Sequence, residues 1–205
     1  MDLDRLLQSG RRIRVIGFDD GPPIGFDHSN HASRRPPRGT PIPVAGIIAS
    51  DTRMEGMLWG SVGKDEMDAT ERITGMLLSS KFSDQVQLVL TDGITVGGAN
   101  VIDLAELSQR TGLPVVAVMR KPPKMETFRA IFDHFDDGDH RREIVERAGR
   151  IHEWDGWTFQ CHRIAPEVAA RVLQRLTDRG KVPEALRLAH LITAAVAGGQ
   201  SSRRA

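Results

Sequence analysis

The hydrophobic residues of this chain fall into short, continuous runs, which is the pattern of strands buried in a sheet. Two of these runs, within residues 13–20 and 87–94, end abruptly in an acid that is followed by glycine. Further strands are predicted at 44–50, 54–62, 113–119 and 157–161, and the first two of these are joined closely enough to form a hairpin.

Between these runs, apolar residues recur at helical spacing. They predict helices at 2–9, 68–79, 100–111, 125–135, 140–149, 166–179 and 183–197. Asp68 and Asn100 are placed as N-caps, and Gly112 ends the helix that Asn100 begins. The last helix has a continuous apolar stripe, which predicts that it docks on the sheet. The order of strand, hairpin, helix, strand, helix, strand and helices predicts an α/β fold.

Residues 21–43 differ from the rest of the chain. They contain six prolines, three glycines and the clustered arginines Arg34, Arg35 and Arg38, with no clear periodicity. A long mobile loop is predicted here, and loops of this length within a compact domain are usually functional. Residues 198–205 are predicted to be a frayed polar tail.

Composition narrows the class of protein. A chain of 205 residues with 40% hydrophobic content predicts one domain, spanning 1–205. The net charge of +1 indicates no global attraction to nucleic acid or to a membrane. Cys161 is the single cysteine, which excludes an internal disulfide. No apolar run approaches the roughly 20 residues of a membrane span, and we expect a cytoplasmic protein without membrane association.

The two acids at strand ends, Asp19 and Asp92, are the first candidates for chemistry. Ligands of open α/β sheets collect at the carboxyl ends of strands, so these side chains are expected to converge there. Paired carboxylates suit Mg²⁺ or Mn²⁺, which promote phosphodiester hydrolysis. The alternative is structural, because Asp19 followed by Asp20, Gly21 and Pro22 is also typical of a turn.

Other patterns give weaker indications. His28 and His31 have a spacing that can bind zinc, but no second pair of ligands lies near them in sequence. Asp68 and Glu71 have the spacing of a capping box, which would explain both without a metal.

Several short phrases together resemble a known family. Gly17-Phe18-Asp19, Leu90-Thr91-Asp92-Gly93, Gly112-Leu113-Pro114-Val115 and Gln160-Cys161-His162-Arg163-Ile164 resemble, in this order, landmarks of endonuclease V. The phrases GFDDGP, DATERI, LTDGI, TGLPVVAV and PEALRLAHLI resemble more closely a related uncharacterised family, the domain of unknown function numbered ninety-nine. The resemblance extends from Arg11 to Ala197.

This resemblance implies a fold and a set of site residues. The fold would be a ribonuclease H-like mixed sheet flanked by helices, with the first and fourth strands side by side. Asp19 and Asp92 would be metal ligands, and His162 would correspond to a late histidine near the scissile phosphate. The third acid is one of Asp65, Glu66, Asp68 and Glu71; Asp68 is favoured because it begins the DATERI phrase.

The function so implied is a metal-dependent nuclease acting on DNA or RNA, with Asp19, Asp68, Asp92 and His162 as its catalytic set. Arg34, Arg35 and Arg38 would contact phosphates of the nucleic acid. Nothing after the hairpin resembles the Pro-Tyr-Ile-Pro wedge of endonuclease V, so a preference for deaminated purines is not implied. The alternatives are a non-catalytic nucleic-acid-binding module on the same fold and a metal-dependent hydrolase of a small phosphate ester.

Overall fold

The computed structural model describes residues 3–25 and 35–201. Its helices are α1 (Leu3–Gln8), α2 (Ala69–Leu78), α3 (Leu104–Thr111), α4 (Met125–Ala130), α5 (Gly138–Arg147), α6 (Pro166–Arg175) and α7 (Glu184–Gly198), with a 3₁₀ helix at Ile131–His134. Its strands are β1 (Arg14–Asp20), β2 (Pro41–Ser50), β3 (Arg53–Gly63), β4 (Leu88–Asp92), β5 (Thr95–Val96), β6 (Asn100–Val101), β7 (Val115–Met119), β8 (His152–Trp154) and β9 (Trp157–His162).

Seven of the described strands form one mixed sheet, in the order β3-β2-β1-β4-β7-β9-β8. Strands β1, β4 and β7 run parallel at its centre, while β2 and β9 pair antiparallel with β1 and β7 on either side. The predicted hairpin is β2–β3, and the predicted adjacency of the first and fourth strands is confirmed by the pairing of Phe18 with Thr91. The sequence-based expectation of a mixed sheet flanked by helices is therefore confirmed.

Helices cover both faces of the sheet, so its central strands are buried on both sides and are apolar throughout. Helices α2, α3 and α5 pack on one face, where Phe18 and Val89 point. Helices α1, α6 and α7 pack on the other, where Val15 and Leu90 point. Each fully buried valine, leucine or phenylalanine contributes about 1.5–3 kcal/mol through the hydrophobic effect.

Helix α7 lies unusually close to β1. A Cβ atom added to Gly17 would stand 2.9 Å from the backbone of Ala185, and one added to Gly21 would stand 2.5 Å from Cβ of Thr193. The helix therefore lies flat on this strand because Gly17 within it and Gly21 directly after it have no side chains. The side chain between these two contacts on the same face of β1 is Asp19.

Several sequence-based boundaries are wrong. Asn100 does not cap α3; it lies in β6, and Asp103 is the cap, accepting a hydrogen bond from the Glu106 amide at 3.0 Å. The two-stranded sheet of β5 and β6 was not predicted, nor was β8. Strand β2 begins at Pro41, inside the predicted loop, whereas residues 26–34 of that loop and 202–205 of the predicted tail lie outside the described residues. None of the helices that the structure describes has the length and apolar character needed to cross a bilayer.

Candidate metal and nucleic-acid site

The structure brings Asp19 and Asp92 together. They end neighbouring parallel strands, and continuing the pairing of Phe18 with Thr91 by one residue sets the two acids side by side. Strands in such a pair are about 4.8 Å apart, and paired side chains point to the same face. Here that face is the one covered by α7. The register of β1 and β4 therefore brings Asp19 and Asp92 together at one edge of the sheet, as the sequence predicted.

Burial makes this pair of carboxylates electrostatically unfavourable. Asp19 is only 6% exposed, and burial, with repulsion from Asp92 and then Asp20, raises its pKa to about 8. Burial also raises the pKa of Asp92, against the opposing effect of Arg120 and His190. A buried carboxylate beside other carboxylates is stabilised either by a proton or by a cation.

His190 of α7 is the side chain that the helix presses against Asp19. Its Nδ1 lies 3.1 Å from Asp19 Oδ2, and the ring is partly exposed. This histidine was not among the sequence-based candidates. The available signals were its position beside the apolar stripe of α7 and its place in the PEALRLAHLI phrase.

Asp20 is a third acid at this edge that sequence reasoning passed over, although it directly follows Asp19. The alternation of a strand sends its side chain to the opposite face. There Oδ2 accepts a hydrogen bond from the Gly97 amide at 3.1 Å. Burial raises the pKa of Asp20 to about 6, while the Gly97 amide acts to lower it.

Arg120 is an arginine whose charge acts on both Asp19 and Asp92. It directly follows β7, is exposed, and its positive charge lowers the pKa of both Asp19 and Asp92. An exposed guanidinium at the rim of a carboxylate site is well suited to hold a phosphate of an approaching nucleic acid.

His162 lies at the opposite end of the sheet from the acids. It pairs with Val115 at the start of β7, whereas Asp92 pairs with Val118 near the end of the same strand. Three residues of strand separate these levels by about 10 Å. The His162 ring instead contacts the carbonyl oxygen of Ala148 at 3.3 Å. The structure therefore does not join His162 to the predicted set.

Asp68 has structural partners. Its Oδ1 accepts hydrogen bonds from Asn100 Nδ2 at 2.7 Å and from the Gly63 amide at 3.1 Å, and its Oδ2 pairs with Arg72 at 3.2 Å. It occupies the N-cap position of α2 without making a side-chain capping bond. These contacts hold β3, α2 and β6 together. They give Asp68 a structural role, which is the alternative to a role as metal ligand.

The three predicted phosphate-binding arginines stand in different situations. Arg34 lies outside the described residues. Arg35 is exposed and lines a cavity of about 620 Å³. Arg38 pairs with Glu66 at 3.1 Å and lies 3.9 Å from Asp137, so acidic side chains already face its charge.

The cavity lined by Arg35 lies on the face of the sheet to which Asp20 points, opposite the face of Asp19 and Asp92. Lys64, Asp65 and Gly98 form part of its wall, and Phe128 and Phe135 form another part. Gly98 directly follows the residue whose amide binds Asp20. The cavity therefore combines polar groups with aromatic rings beside the turn that binds Asp20, which is the usual make-up of a binding pocket.

The chemistry of the acids fits a hard divalent cation. Carboxylate oxygens are the ligands that Mg²⁺ and Mn²⁺ take, and the mutual repulsion of Asp19 and Asp92 is what such a cation would relieve. Across residues 3–25 and 35–201, no three His, Cys, Asp or Glu side chains are grouped as a ready metal-binding set. The fit therefore rests on the pair Asp19 and Asp92.

Comparison with solved structures defines the class of fold. A protein of unknown function from Archaeoglobus fulgidus is 31% identical, with a TM-score of 0.80 over 91% of this chain and 99% of that one. Ciona intestinalis endonuclease V, solved with DNA containing inosine, gives a TM-score of 0.52 at 13% identity, covering 88% of this chain and 83% of that one. Human endonuclease V gives 0.52 at 15% identity, covering 90% and 84%. The protein thus has the endonuclease V-like fold.

The sequence identifies the family more narrowly. The chain belongs to the endonuclease dU family, whose profile matches residues 11–197. Curated relatives include a UPF0215 protein of Methanothermobacter thermautotrophicus, 36% identical over 98% of this chain and 96% of that protein. Another, from Pyrococcus furiosus, is 36% identical over 94% of this chain and 96% of that protein. The resemblance to an endonuclease V-like uncharacterised family is thereby confirmed.

Proposed function

We propose that the protein is a metal-dependent endonuclease that hydrolyses phosphodiester bonds of nucleic acid, with Asp19 and Asp92 holding Mg²⁺ or Mn²⁺. The observation that supports this most is that buried Asp19 and partly buried Asp92 lie side by side at the ends of β1 and β4, where each has a raised pKa. When bound, the cation would activate water as a nucleophile and stabilise the leaving oxygen.

The other residues have roles that follow from their positions. The bond to Asp19 orients the His190 ring, and Nε2, which has no hydrogen-bond partner among the described residues, is the atom placed for proton transfer. Arg120 supplies positive charge for the substrate phosphate. His162 has no part in this proposal, because strand β9 carries it to the other end of the sheet.

Deoxyuridine in DNA is the first substrate to test. The name of the family, endonuclease dU, refers to it, and solved relatives of similar fold were bound to DNA containing inosine. We place the recognised base in the cavity of about 620 Å³, where Phe128 and Phe135 offer aromatic surface and Lys64 and Asp65 offer polar groups for the base edge. Uracil differs from thymine by one methyl group, so the cavity must exclude that methyl.

The test uses end-labelled oligonucleotides that differ at a single position. Duplex and single-stranded DNA with one deoxyuridine, deoxyinosine or thymidine, and matched RNA, are incubated with the protein in Mg²⁺, Mn²⁺ or EDTA. We expect metal-dependent cleavage that falls by about a thousandfold or more in Asp19→Asn and Asp92→Asn, since both ligands act as a unit. Asp84→Asn, at an exposed position, is the matched control and should cleave like the wild type. If no oligonucleotide is cut under any condition, the proposal is wrong.

A nucleic-acid-binding module without turnover is the second candidate. The contacts of Asp68 with Asn100 and Arg72 favour it, because they occupy the acid that was expected to complete the ligand set. Such a module would bind oligonucleotides with strong salt dependence and give no product. Its affinity would not depend on divalent cations, whereas binding by the nuclease should tighten when Mn²⁺ is present.

A further inference from the structure

Arg141 of α5 is fully buried, which is rare for a charged side chain. Its guanidinium makes five hydrogen bonds, which is the number of its N–H donors. Two go to the Asp137 carboxylate, at 2.7 and 2.9 Å. The others go to the backbone carbonyl oxygens of Ala99 at 2.6 Å, Asp65 at 2.9 Å and Glu66 at 3.2 Å. Arg141 therefore fixes the start of α5 to the segment after β3 and to the turn between β5 and β6.

A series of hydrogen bonds leads from these segments to the carboxylate site. The Ala99 amide donates to Asp65 Oδ1 at 2.8 Å, and the Asp65 amide donates to the Gly97 carbonyl oxygen at 2.9 Å. The Gly97 amide then donates to Asp20 Oδ2 at 3.1 Å. Arg141 is thus connected, through Asp65 and the turn at 97–99, to the acid that adjoins Asp19.

The backbone of these segments needs external support. Asp65 has a φ of +56°, and Gly97 and Gly98 have φ values of +59° and +93°. A non-glycine residue in this region costs about 1–3 kcal/mol, so it persists only where surrounding bonds hold it. A side chain at Gly98 is excluded as well, since its Cβ would stand 2.3 Å from Asp65 Oδ1.

We infer that Arg141 is a positioning residue for the carboxylate site: it holds the turn at 97–99 so that the Gly97 amide stays on Asp20. The same turn forms part of the wall of the 620 Å³ cavity. One buried arginine therefore fixes both the acid beside Asp19 and one side of the proposed base pocket. The effect of Arg141 on catalysis rests on the proposed function. The hydrogen bonds by which it holds the turn are a property of the fold.

Arg141→Lys is the direct test, because lysine keeps the charge but offers three donors instead of five. Arg142→Lys is the matched control: it makes the same change one residue along α5, where the side chain pairs with Asp133 at 2.7 Å. For Arg141→Lys we expect Mn²⁺ affinity, measured by calorimetry, to weaken by about tenfold. Loss of a group bonded directly to a metal ligand costs about 10–100-fold, and Arg141 acts at the lower end because it reaches Asp19 only through the turn and Asp20. Amide exchange at Gly97 should quicken by about tenfold as well. The control should change neither.

A second pair of variants tests the same inference without changing the buried arginine. Asp65→Asn keeps an oxygen that can accept the Ala99 amide, whereas Asp65→Ala does not. We expect Asp65→Ala to weaken Mn²⁺ binding and to quicken exchange at Gly97, and Asp65→Asn to restore both toward the wild type. This pair decides the matter if Arg141→Lys does not fold, as judged by circular dichroism.

The readouts separate positioning from simple stabilisation. If Arg141→Lys or Asp65→Ala lowers the melting temperature yet leaves Mn²⁺ affinity and Gly97 exchange unchanged, the residues only stabilise the fold and the inference is overturned. If the wild type binds no Mn²⁺, the proposed function fails by itself. Exchange at Gly97 then still decides whether Arg141 holds the turn.

Discussion

The charge on Asp19 should make the metal-free protein less stable as pH rises. Its pKa in the folded state is about 8, against 3.8 for the ordinary side chain, because burial and the neighbouring Asp92 and Asp20 oppose ionisation. A group with a raised folded pKa favours folding fully below the unfolded value, and this contribution is lost as pH rises through the folded value. The affected window is therefore pH 4 to 8.

The magnitude follows from the same values. Each pH unit between 3.8 and 7 is worth about 1.4 kcal/mol, which gives a cost on the order of 4 kcal/mol at pH 7. Asp19→Asn is nearly isosteric and cannot ionise. We expect the metal-free variant to be more stable than the wild type at pH 7 by a few kcal/mol, and the difference to vanish near pH 4.

Urea denaturation in EDTA at pH 4, 5.5, 7 and 8 measures this difference, with Asp84→Asn as the exposed control. Added Mn²⁺ should stabilise the wild type at pH 7 by about 2.7 kcal/mol at a hundred times its dissociation constant, and stabilise Asp19→Asn far less. A gap between wild type and variant that stays the same at every pH would refute the electrostatic reasoning, because a packing effect has no such dependence.

Two other comparisons test the local geometry. His190→Ala should lower the cleavage rate by about a hundredfold with the fold retained, while His162→Ala should stay within about threefold of the wild type; equal losses would contradict the assignment of the proton-transfer role. Gly98→Ala should lower the free energy of unfolding by about 2 kcal/mol or more, because its new Cβ would meet Asp65 and its φ is positive. Gly75→Ala, in the open interior of α2, should instead raise it by about 0.5–1 kcal/mol, and thermal melts distinguish the two.

The strands were predictable because their cause is local. A strand buried on both faces must be apolar along its length. The apolar runs before Asp19 and Asp92 therefore predicted both the strands and the position of the acids at their ends. The adjacency of those strands also followed from the resemblance and from the order of elements. The small strands β5 and β6 have two residues each, too few to leave a periodic signal.

The remaining site residues depend on tertiary geometry. Which residue of α7 meets Asp19 is set by how the helix lies across β1, and spacing along the helix gives only its buried stripe. The structure separates His162 from the acids because β9 runs antiparallel to β7, and the direction of a strand decides which end of the sheet its last residue reaches. Asp68 resembles a ligand in sequence, but its partner Asn100 lies 32 residues away and was predicted to cap a helix.

The close approach of α7 to β1 has a consequence for how the protein tolerates change. Gly17, in β1, and Gly21, directly after β1, lie two residues to either side of Asp19 and have no side chain of their own. A single added methyl at either would push the C-terminal helix outward and take His190 with it. A genetic screen for inactive variants should therefore recover substitutions at these two glycines as readily as at the charged residues. The close fit of the helix against the strand alone sets how His190 meets Asp19.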